Sequence, residues 1–159
     1  MILKAQIEDL EEIASLARII TKNIHDLGID QWSDSYPLYE HFEKDMNASG
    51  LYVFKSSGKL ISSISILPEN DPFYTELTWL KEKSLVVHRL MVHPDYMKQH
   101  IGSLMMDFAR LKAINEGYES IKVDTHPDNI RMQKLILSCG YTRIGYMTRM
   151  NRIGYELVL

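Results

Sequence analysis

The segment HPDYMKQHIGSLMM, residues 93–106, decides how this chain folds. It follows the apolar run LVVHRLMV (85–92), which predicts a strand buried on both faces and ended by Pro94, a residue with no N–H for a strand ladder. After a short loop, apolar residues recur at helical spacing and predict a helix over residues 101–115. The first turn of a helix carries N–H groups without intrahelical partners. A strand, a loop and a helix in this order therefore predict an anion site made of main-chain groups.

Strands and helices extend from this segment in both directions. Further strands are predicted at 2–6, 51–54, 59–67, 120–125, 141–150 and 152–159, and further helices at 9–24, 38–47 and 129–139. Residues 68–83 contain two prolines and mixed charge, and they predict an excursion between strands. The helix at 101–115 is expected to bury Ile101, Leu104, Met105, Phe108 and Ala109. This order predicts an α/β (α+β) fold in one domain, 1–159, with a mixed, mostly antiparallel sheet of about seven strands and helices on both faces.

The composition is that of an ordinary globular protein of 159 residues, with 45% apolar and 25% charged side chains. A net charge of −3 gives no general attraction to nucleic acid, and no apolar run approaches the roughly 18 residues that a membrane span requires. The single cysteine, Cys139, allows no internal disulfide and fits a reducing compartment. Acidic residues follow too soon after Met1 for a signal peptide. We therefore expect a cytoplasmic protein without nucleic-acid or membrane partners.

Four segments carry a resemblance to a known family: HRLMVHPDY (88–96), IGSLMMDFA (101–109), DTHPDN (124–129) and LSCGYTRIG (137–145). Their order and spacing resemble the GNAT superfamily of N-acetyltransferases over nearly the whole chain, in the form of its small bacterial single-domain members. The resemblance implies the acyl-CoA N-acyltransferase-like fold. It also implies transfer of an acetyl group from acetyl-CoA to a primary amine by direct attack in a ternary complex.

The resemblance further implies where acetyl-CoA binds. Main-chain groups of Leu90 and Val92 would hold the pantetheine arm as a neighbouring strand would, and Asn129 occupies the position of the family's cofactor-side asparagine. The pyrophosphate would lie on the loop and first helical turn formed by Lys98, Gln99, His100, Ile101, Gly102 and Ser103.

Two departures from the family pattern bear on function. The family loop usually reads Arg/Gln-x-x-Gly-x-Gly/Ala, and here only Gly102 matches, with Met97 in place of a charged or polar residue and His100 in place of a glycine. Ile136 stands where many members carry the tyrosine that protonates the departing thiolate. A thiol has a reference pKa near 8.5, so the leaving group tolerates the loss of an acid whose help is worth roughly 10²–10⁴ in rate.

His88 is the candidate general base, because its reference pKa lies near neutral pH while only about one alkyl amine in 10³ is uncharged there. Strand alternation predicts that His88 shares a face with Val86, Leu90 and Val92, and a hydrogen-bonded core histidine is the alternative. Arg89 is then expected on the opposite face, as a structural residue or as a ligand for an acidic acceptor.

Trp32 and Tyr36 lie in the segment that commonly lines the acceptor pocket in the family. An aromatic pair suits a cationic amine, and an aromatic anchor for the loop explains the pair equally well. His126 is expected to shape its own turn. The histidines lack the spacing of a metal site and have no cysteine partner, so no metal is expected.

The leading hypothesis is an acetyl-CoA-dependent N-acetyltransferase whose acceptor is a small-molecule or peptide amine. The alternative, favoured by Ile136 and by the altered loop, is a catalytically weak or inactive acyl-CoA-binding sensor or partner-binding module. The sequence is also compatible with a homodimer in which the two C-terminal strands pair across an interface.

Overall fold

The structure, a computed structural model, describes all 159 residues and contains one seven-stranded sheet. Its strands are β1 (Ile2–Lys4), β2 (Leu51–Ser56), β3 (Lys59–Pro68), β4 (Ser84–Val92), β5 (Ser120–Thr125), β6 (Thr142–Met147) and β7 (Arg152–Val158). They lie in the order β1-β2-β3-β4-β5-β7-β6, and every neighbouring pair is antiparallel except β4 and β5. The predicted mixed, mostly antiparallel sheet is confirmed.

Four helices cover the two faces of the sheet: α1 (Leu10–Asp26), α2 (Tyr39–Asn47), α3 (Ile101–Asn115) and α4 (Ile130–Ser138). Helices α1 and α2 share a buried core with β2 and with Met91 of β4. Helices α3 and α4 share the larger core on the other face, which contains Met105, Ala109 and Ile136. No helix combines the length and the hydropathy that crossing a membrane requires.

The buried stripe of α3 differs from the prediction at one position. Met105, Ala109 and Ala113 are fully buried, and they form the i, i+4, i+8 row that faces the sheet. Met106 is buried beside them, whereas Leu104 is 44% exposed. The prediction for Leu104 is wrong because the stripe is centred on the neighbouring row.

A β-bulge interrupts β4 in the middle of the sheet. Opposite β3, Ser65 pairs with His88 and Ser63 with Met91, so one residue of β3 faces two residues of β4. One of those two, Arg89, has a left-handed backbone with φ of +51°. The bulge lies where the chain approaches the loop at 93–100.

The bulge reverses the alternation of β4. Before it, Val87 packs in the α3–α4 core and Val86 packs on the other face. After it, Leu90 packs against the α3–α4 core, while Met91 joins the α1–α2 core. The predicted common face of His88 with Leu90 and Val92 is therefore wrong: His88 alternates with Val87 and lies on the face of Val86.

The predicted excursion forms a strap, residues 69–83, across the face of the sheet that carries His88. A 3₁₀ turn at Pro72–Glu76 places Tyr74 against Trp79, with the rings stacked at 4.9 Å. Glu156 of β7 is 1% exposed and accepts hydrogen bonds from two main-chain N–H groups of the strap, at 2.6 and 3.1 Å. The strap is thus fixed to the sheet beside the place where β4 and β5 separate.

Candidate active site

A cleft opens where β4 and β5 part. Their parallel pairing ends at Val87 and Val123, although both strands continue. The next residues, His88 and Asp124, therefore lie at the start of the gap, and the edge of β4 that faces β5 has no strand partner beyond Val87. A pocket of about 350 Å³ occupies this place. It lies at the carboxyl ends of parallel strands, where open sheets commonly bind ligands.

The pocket gathers most of the predicted acceptor-side and catalytic residues. It is lined in part by Trp32, Tyr36, His88, Arg89, Leu90 and Asn129. Val92 and residues 98–103 lie outside it, farther along the chain from β4. The structure thus separates a pocket at the split strands from a loop at the end of β4.

His88 presents an imidazole that makes no hydrogen bond to another protein group. Burial lowers the pKa of His88 below its ordinary 6.5, although the nearby Asp124 carboxylate acts in the opposite direction. At neutral pH the ring is therefore uncharged and able to accept a proton. The alternative of a hydrogen-bonded core histidine is not what the structure shows.

Asp124 is a site residue that the sequence analysis missed. Its side chain is only 15% exposed, and the Tyr74 hydroxyl donates a hydrogen bond of 2.6 Å to its Oδ2. The Arg152 Nε lies 4.0 Å from the other carboxylate oxygen. Burial raises the pKa of Asp124 above 3.8, while the hydrogen bond from Tyr74 lowers it. The pairing of β5 with β4 ends at Val123, opposite Val87. Asp124 follows Val123 as His88 follows Val87, and this matching position is the signal that could have identified it.

Arg89 lies on the same side of the sheet as His88, contrary to the prediction. The left-handed backbone of the bulge turns its guanidinium into an ion pair with Asp45 of α2, which is 4% exposed. Ser65 also donates to Asp45, at 2.6 Å, and the Arg89 guanidinium carbon lies 5.3 Å from the centre of the Tyr36 ring. The charge of Arg89 is thus balanced within the protein, and one face of Tyr36 is taken.

Arg152 and Asn129 hold the segment 28–37 against the pocket. The Arg152 guanidinium donates to the main-chain carbonyls of Gln31, Met150 and Asn151, at 2.9, 3.1 and 2.9 Å. The Asn129 amide donates to the side chain of Gln31 at 2.9 Å, while its oxygen caps α4 by accepting from a main-chain N–H at 3.1 Å. Asn129 therefore has a structural role, and its predicted contact with the cofactor stays a prediction.

The segment 98–103 presents a run of free main-chain donors. None of its six N–H groups has a backbone or side-chain acceptor, and the next one, on Leu104, donates to His100 at 3.0 Å. Lys98 and His100 both have φ of +61°, the left-handed conformation that glycine adopts most easily. The loop thus keeps a glycine-like backbone without the glycine. Together with the helix dipole of α3, these donors fit a pyrophosphate group.

Two neighbours of this loop were not predicted. A Cβ atom on Gly102 would lie 2.9 Å from Cδ2 of Leu135, so this glycine lets α3 approach α4 closely. Arg131, in the first turn of α4, donates to the sulfur of Met97 at 3.4 Å. An exposed guanidinium thus lies beside the position where the family carries a charged or polar residue.

Two other residues named from the sequence lie outside the pocket. Ile136 is 0% exposed within the α3–α4 core. The ring of His126 accepts a hydrogen bond of 3.0 Å from the main chain of Asp128 and so shapes its turn, as expected. No group of three or more His, Cys, Asp or Glu side chains is arranged to hold a metal ion.

Comparison with known proteins identifies the family. The model of the "Acetyltransferase (GNAT) family" matches residues 10–141, and the chain therefore belongs to the GNAT acetyltransferase family. No curated protein has significant sequence similarity to it.

Solved structures of other GNAT proteins share the fold. An acetyltransferase from Streptococcus agalactiae 2603 is 21% identical with a TM-score of 0.87, covering 100% of this chain and 95% of its own. One from Listeria monocytogenes 4b F2365 is 20% identical with a TM-score of 0.82 over 100% and 94%. The PaiA N-acetyltransferase of Thermoplasma acidophilum, solved in complex with coenzyme A, is 19% identical with a TM-score of 0.75 over 100% and 98%. At these identities the likeness concerns the fold alone, and it confirms the acyl-CoA N-acyltransferase fold.

Proposed function

We propose that this protein transfers an acetyl group from acetyl-CoA to a primary amine by direct attack in a ternary complex, with His88 as the general base. The observation that carries the proposal is the uncharged imidazole of His88, free of hydrogen bonds, at the point where β4 and β5 separate. A base in this place can remove a proton from an amine held in the adjoining pocket.

The cofactor side of the proposal rests on unused main-chain groups. The six free N–H groups of 98–103 would hold the pyrophosphate, with Arg131 adding charge, and the unpaired edge of β4 at Leu90 and Val92 would bind the pantetheine arm. A structural relative was solved with coenzyme A, which supports the same ligand here. Acetyl-CoA supplies an acetyl group already activated as a thioester.

The amine attacks in its neutral form, after its ammonium proton has passed to solvent, and one further proton leaves the nitrogen as the amide forms. The new C–N bond forms as the C–S bond breaks, the amine proton passes to His88, and the sulfur leaves with the bonding electron pair as a thiolate. Asp124, across the gap from His88, stabilises the imidazolium that results. Ile136, buried in the core, supplies no acid in place of the tyrosine, so the thiolate leaves unprotonated. The reference pKa of a thiol, near 8.5, allows this.

A thermal-shift titration tests binding. At about 100 times Kd, acetyl-CoA should stabilise the protein by ~2.7 kcal/mol, which for a chain of this length raises Tm by roughly 5–10 °C. No shift at millimolar acetyl-CoA would refute the proposal and the sensor alternative together.

Turnover separates the enzyme from the sensor. Thiol release with a broad panel of amines should be measurable, and His88→Gln should lower kcat by about 10²–10⁴ while leaving acetyl-CoA affinity unchanged. His93→Gln, outside the pocket, serves as the matched control. Acetyl-CoA binding without thiol release for any amine would favour the sensor, and an equal loss in both variants would remove His88 from the base role.

A further inference from the structure

We propose that the acceptor is a short aliphatic diamine that carries no carboxylate and whose second ammonium group is bound by Asp71. This inference rests on the proposed function and names the substrate class of the same pocket.

Two carboxylates enter the pocket from different elements. Asp124 comes from the end of β5 and Asp71 from the strap, and both line the pocket with His88. Asp71 accepts one hydrogen bond, from the main chain of Phe73 at 2.9 Å, and has no cationic partner. Because Asp124 is only 15% exposed and Asp71 is half-buried, a cation in the pocket would be attracted more strongly than in open water.

The two guanidinium groups of the pocket are already engaged. Arg152 donates to three main-chain carbonyls and has only its Nε directed near Asp124, at 4.0 Å. Arg89 forms an ion pair with the buried Asp45. The Arg89–Asp45 pair is neutral and His88 is uncharged, which leaves the carboxylates of Asp71 and Asp124 and the guanidinium of Arg152. The pocket therefore has a net charge of −1 and attracts cations.

The walls and size of the pocket suit an aliphatic chain. Ile20, Ile24, Trp32, Met132 and Met150 supply apolar surface between the charged ends. The volume of about 350 Å³ is at the small end of ligand pockets, which favours a compact acceptor. One nitrogen must lose its proton at His88, beside Asp124. The other nitrogen keeps its charge, so a diamine supplies a partner for Asp71 that a simple alkylamine lacks.

Three matched acceptors test the inference: 1,5-diaminopentane, pentylamine and lysine. Pentylamine lacks the second ammonium, and lysine differs from 1,5-diaminopentane by one carboxylate. The value of kcat/KM for 1,5-diaminopentane should exceed that for pentylamine by roughly tenfold or more, the effect of one charge-assisted hydrogen bond. It should also exceed that for lysine, because the net negative charge of the pocket repels the carboxylate of lysine.

A variant assigns the preference to the pocket. Asp71→Asn should bring the kcat/KM ratio of 1,5-diaminopentane to pentylamine toward one. The control Asp26→Asn removes an exposed carboxylate at the end of α1 that makes no ion pair, and it should keep the native ratio. Both variants should bind acetyl-CoA as the native protein does.

The possible failures are distinct. Equal kcat/KM for 1,5-diaminopentane and pentylamine, or a preference for lysine, would overturn the inference and leave the acetyltransferase proposal in place. Acetyl-CoA binding with turnover of other amines but none of these three would also overturn it. Absence of acetyl-CoA binding would instead contradict the proposed function itself.

Discussion

His100→Gly should stabilise this protein, although it introduces the most flexible residue into a loop. His100 has φ of +61° and ψ of +17°, and its exposed side chain makes no capping hydrogen bond. A left-handed backbone costs a residue with a Cβ roughly 1–2 kcal/mol. The extra freedom of glycine in the unfolded chain costs about 0.4–1 kcal/mol. The difference is a net gain of about 0.8 kcal/mol, or a Tm higher by roughly 2–3 °C.

Urea unfolding at pH 7 measures this gain, and the neighbouring residue supplies the control. Gln99 is exposed in the same loop but has no left-handed backbone, so Gln99→Gly should lose about 0.4–1 kcal/mol. The two substitutions should therefore have opposite signs. Equal destabilisation by both would refute the glycine-like backbone on which the pyrophosphate site depends.

The same variant shows whether the imidazole of His100 contacts the cofactor. If main-chain donors form the site, His100→Gly should keep acetyl-CoA affinity within about twofold. A tenfold loss, the effect of one charge-assisted hydrogen bond, would contradict a site formed by the main chain.

Four further predictions concern the pocket and its supports. As pH falls below 6.5, the native protein should lose unfolding free energy relative to His88→Gln. Burial lowers the pKa of His88 in the folded state, so the unfolded chain binds a proton that the folded chain does not. Urea unfolding at pH 7.5 and 5.5 measures this, and an equal change in both proteins would contradict it. Asp124→Asn should raise the unfolding free energy at pH 7, because burial in the folded state disfavours this ionised carboxylate, and it should lower kcat. A variant less stable than the native protein would argue against that explanation. Gly102→Ala should change the unfolding free energy by less than about 1 kcal/mol in urea unfolding, because the Leu135 methyl that its Cβ meets can move and alanine favours the helix by about 0.5–1 kcal/mol. A loss above about 2 kcal/mol would show that Leu135 cannot give way. Arg131→Gln should weaken acetyl-CoA binding about tenfold in calorimetry, and unchanged affinity would exclude Arg131 from the site.

Local patterns predicted the elements around the cleft well. The strand at 120–125 and the helix at 101–115 have the bounds that the sequence indicated, because short apolar runs and helical spacing act over a few residues. The loop at 98–103 was also identified correctly as a run of free donors, even though its residues differ from the family pattern.

The bulge in β4 was not predictable from the strand itself. It appears only in the pairing with β3, where Ile64 faces two residues, and nothing in the run LVVHRLMV marks it. Simple alternation therefore put Arg89 on the wrong face and grouped His88 with Leu90. One extra residue in a strand moves every later side chain to the other face.

The contacts of Asp124 were hidden for a different reason. Tyr74 is 50 residues away along the chain, in a strap that the sequence showed only as an interruption between strands. The link depends on how the strap lies on the sheet, which Glu156 controls from still farther along the chain. Contacts at such separations follow from tertiary packing and leave no local pattern.

An amide NMR titration tests the central claim most directly. Acetyl-CoA should shift the amide signals of residues 98–103, while S-acetyl-N-acetylcysteamine, which has the thioester but no pyrophosphate, should shift signals near His88 and leave the loop unchanged. Acetyl-CoA binding that leaves the amides of 98–103 unmoved would contradict a pyrophosphate site built from the main chain.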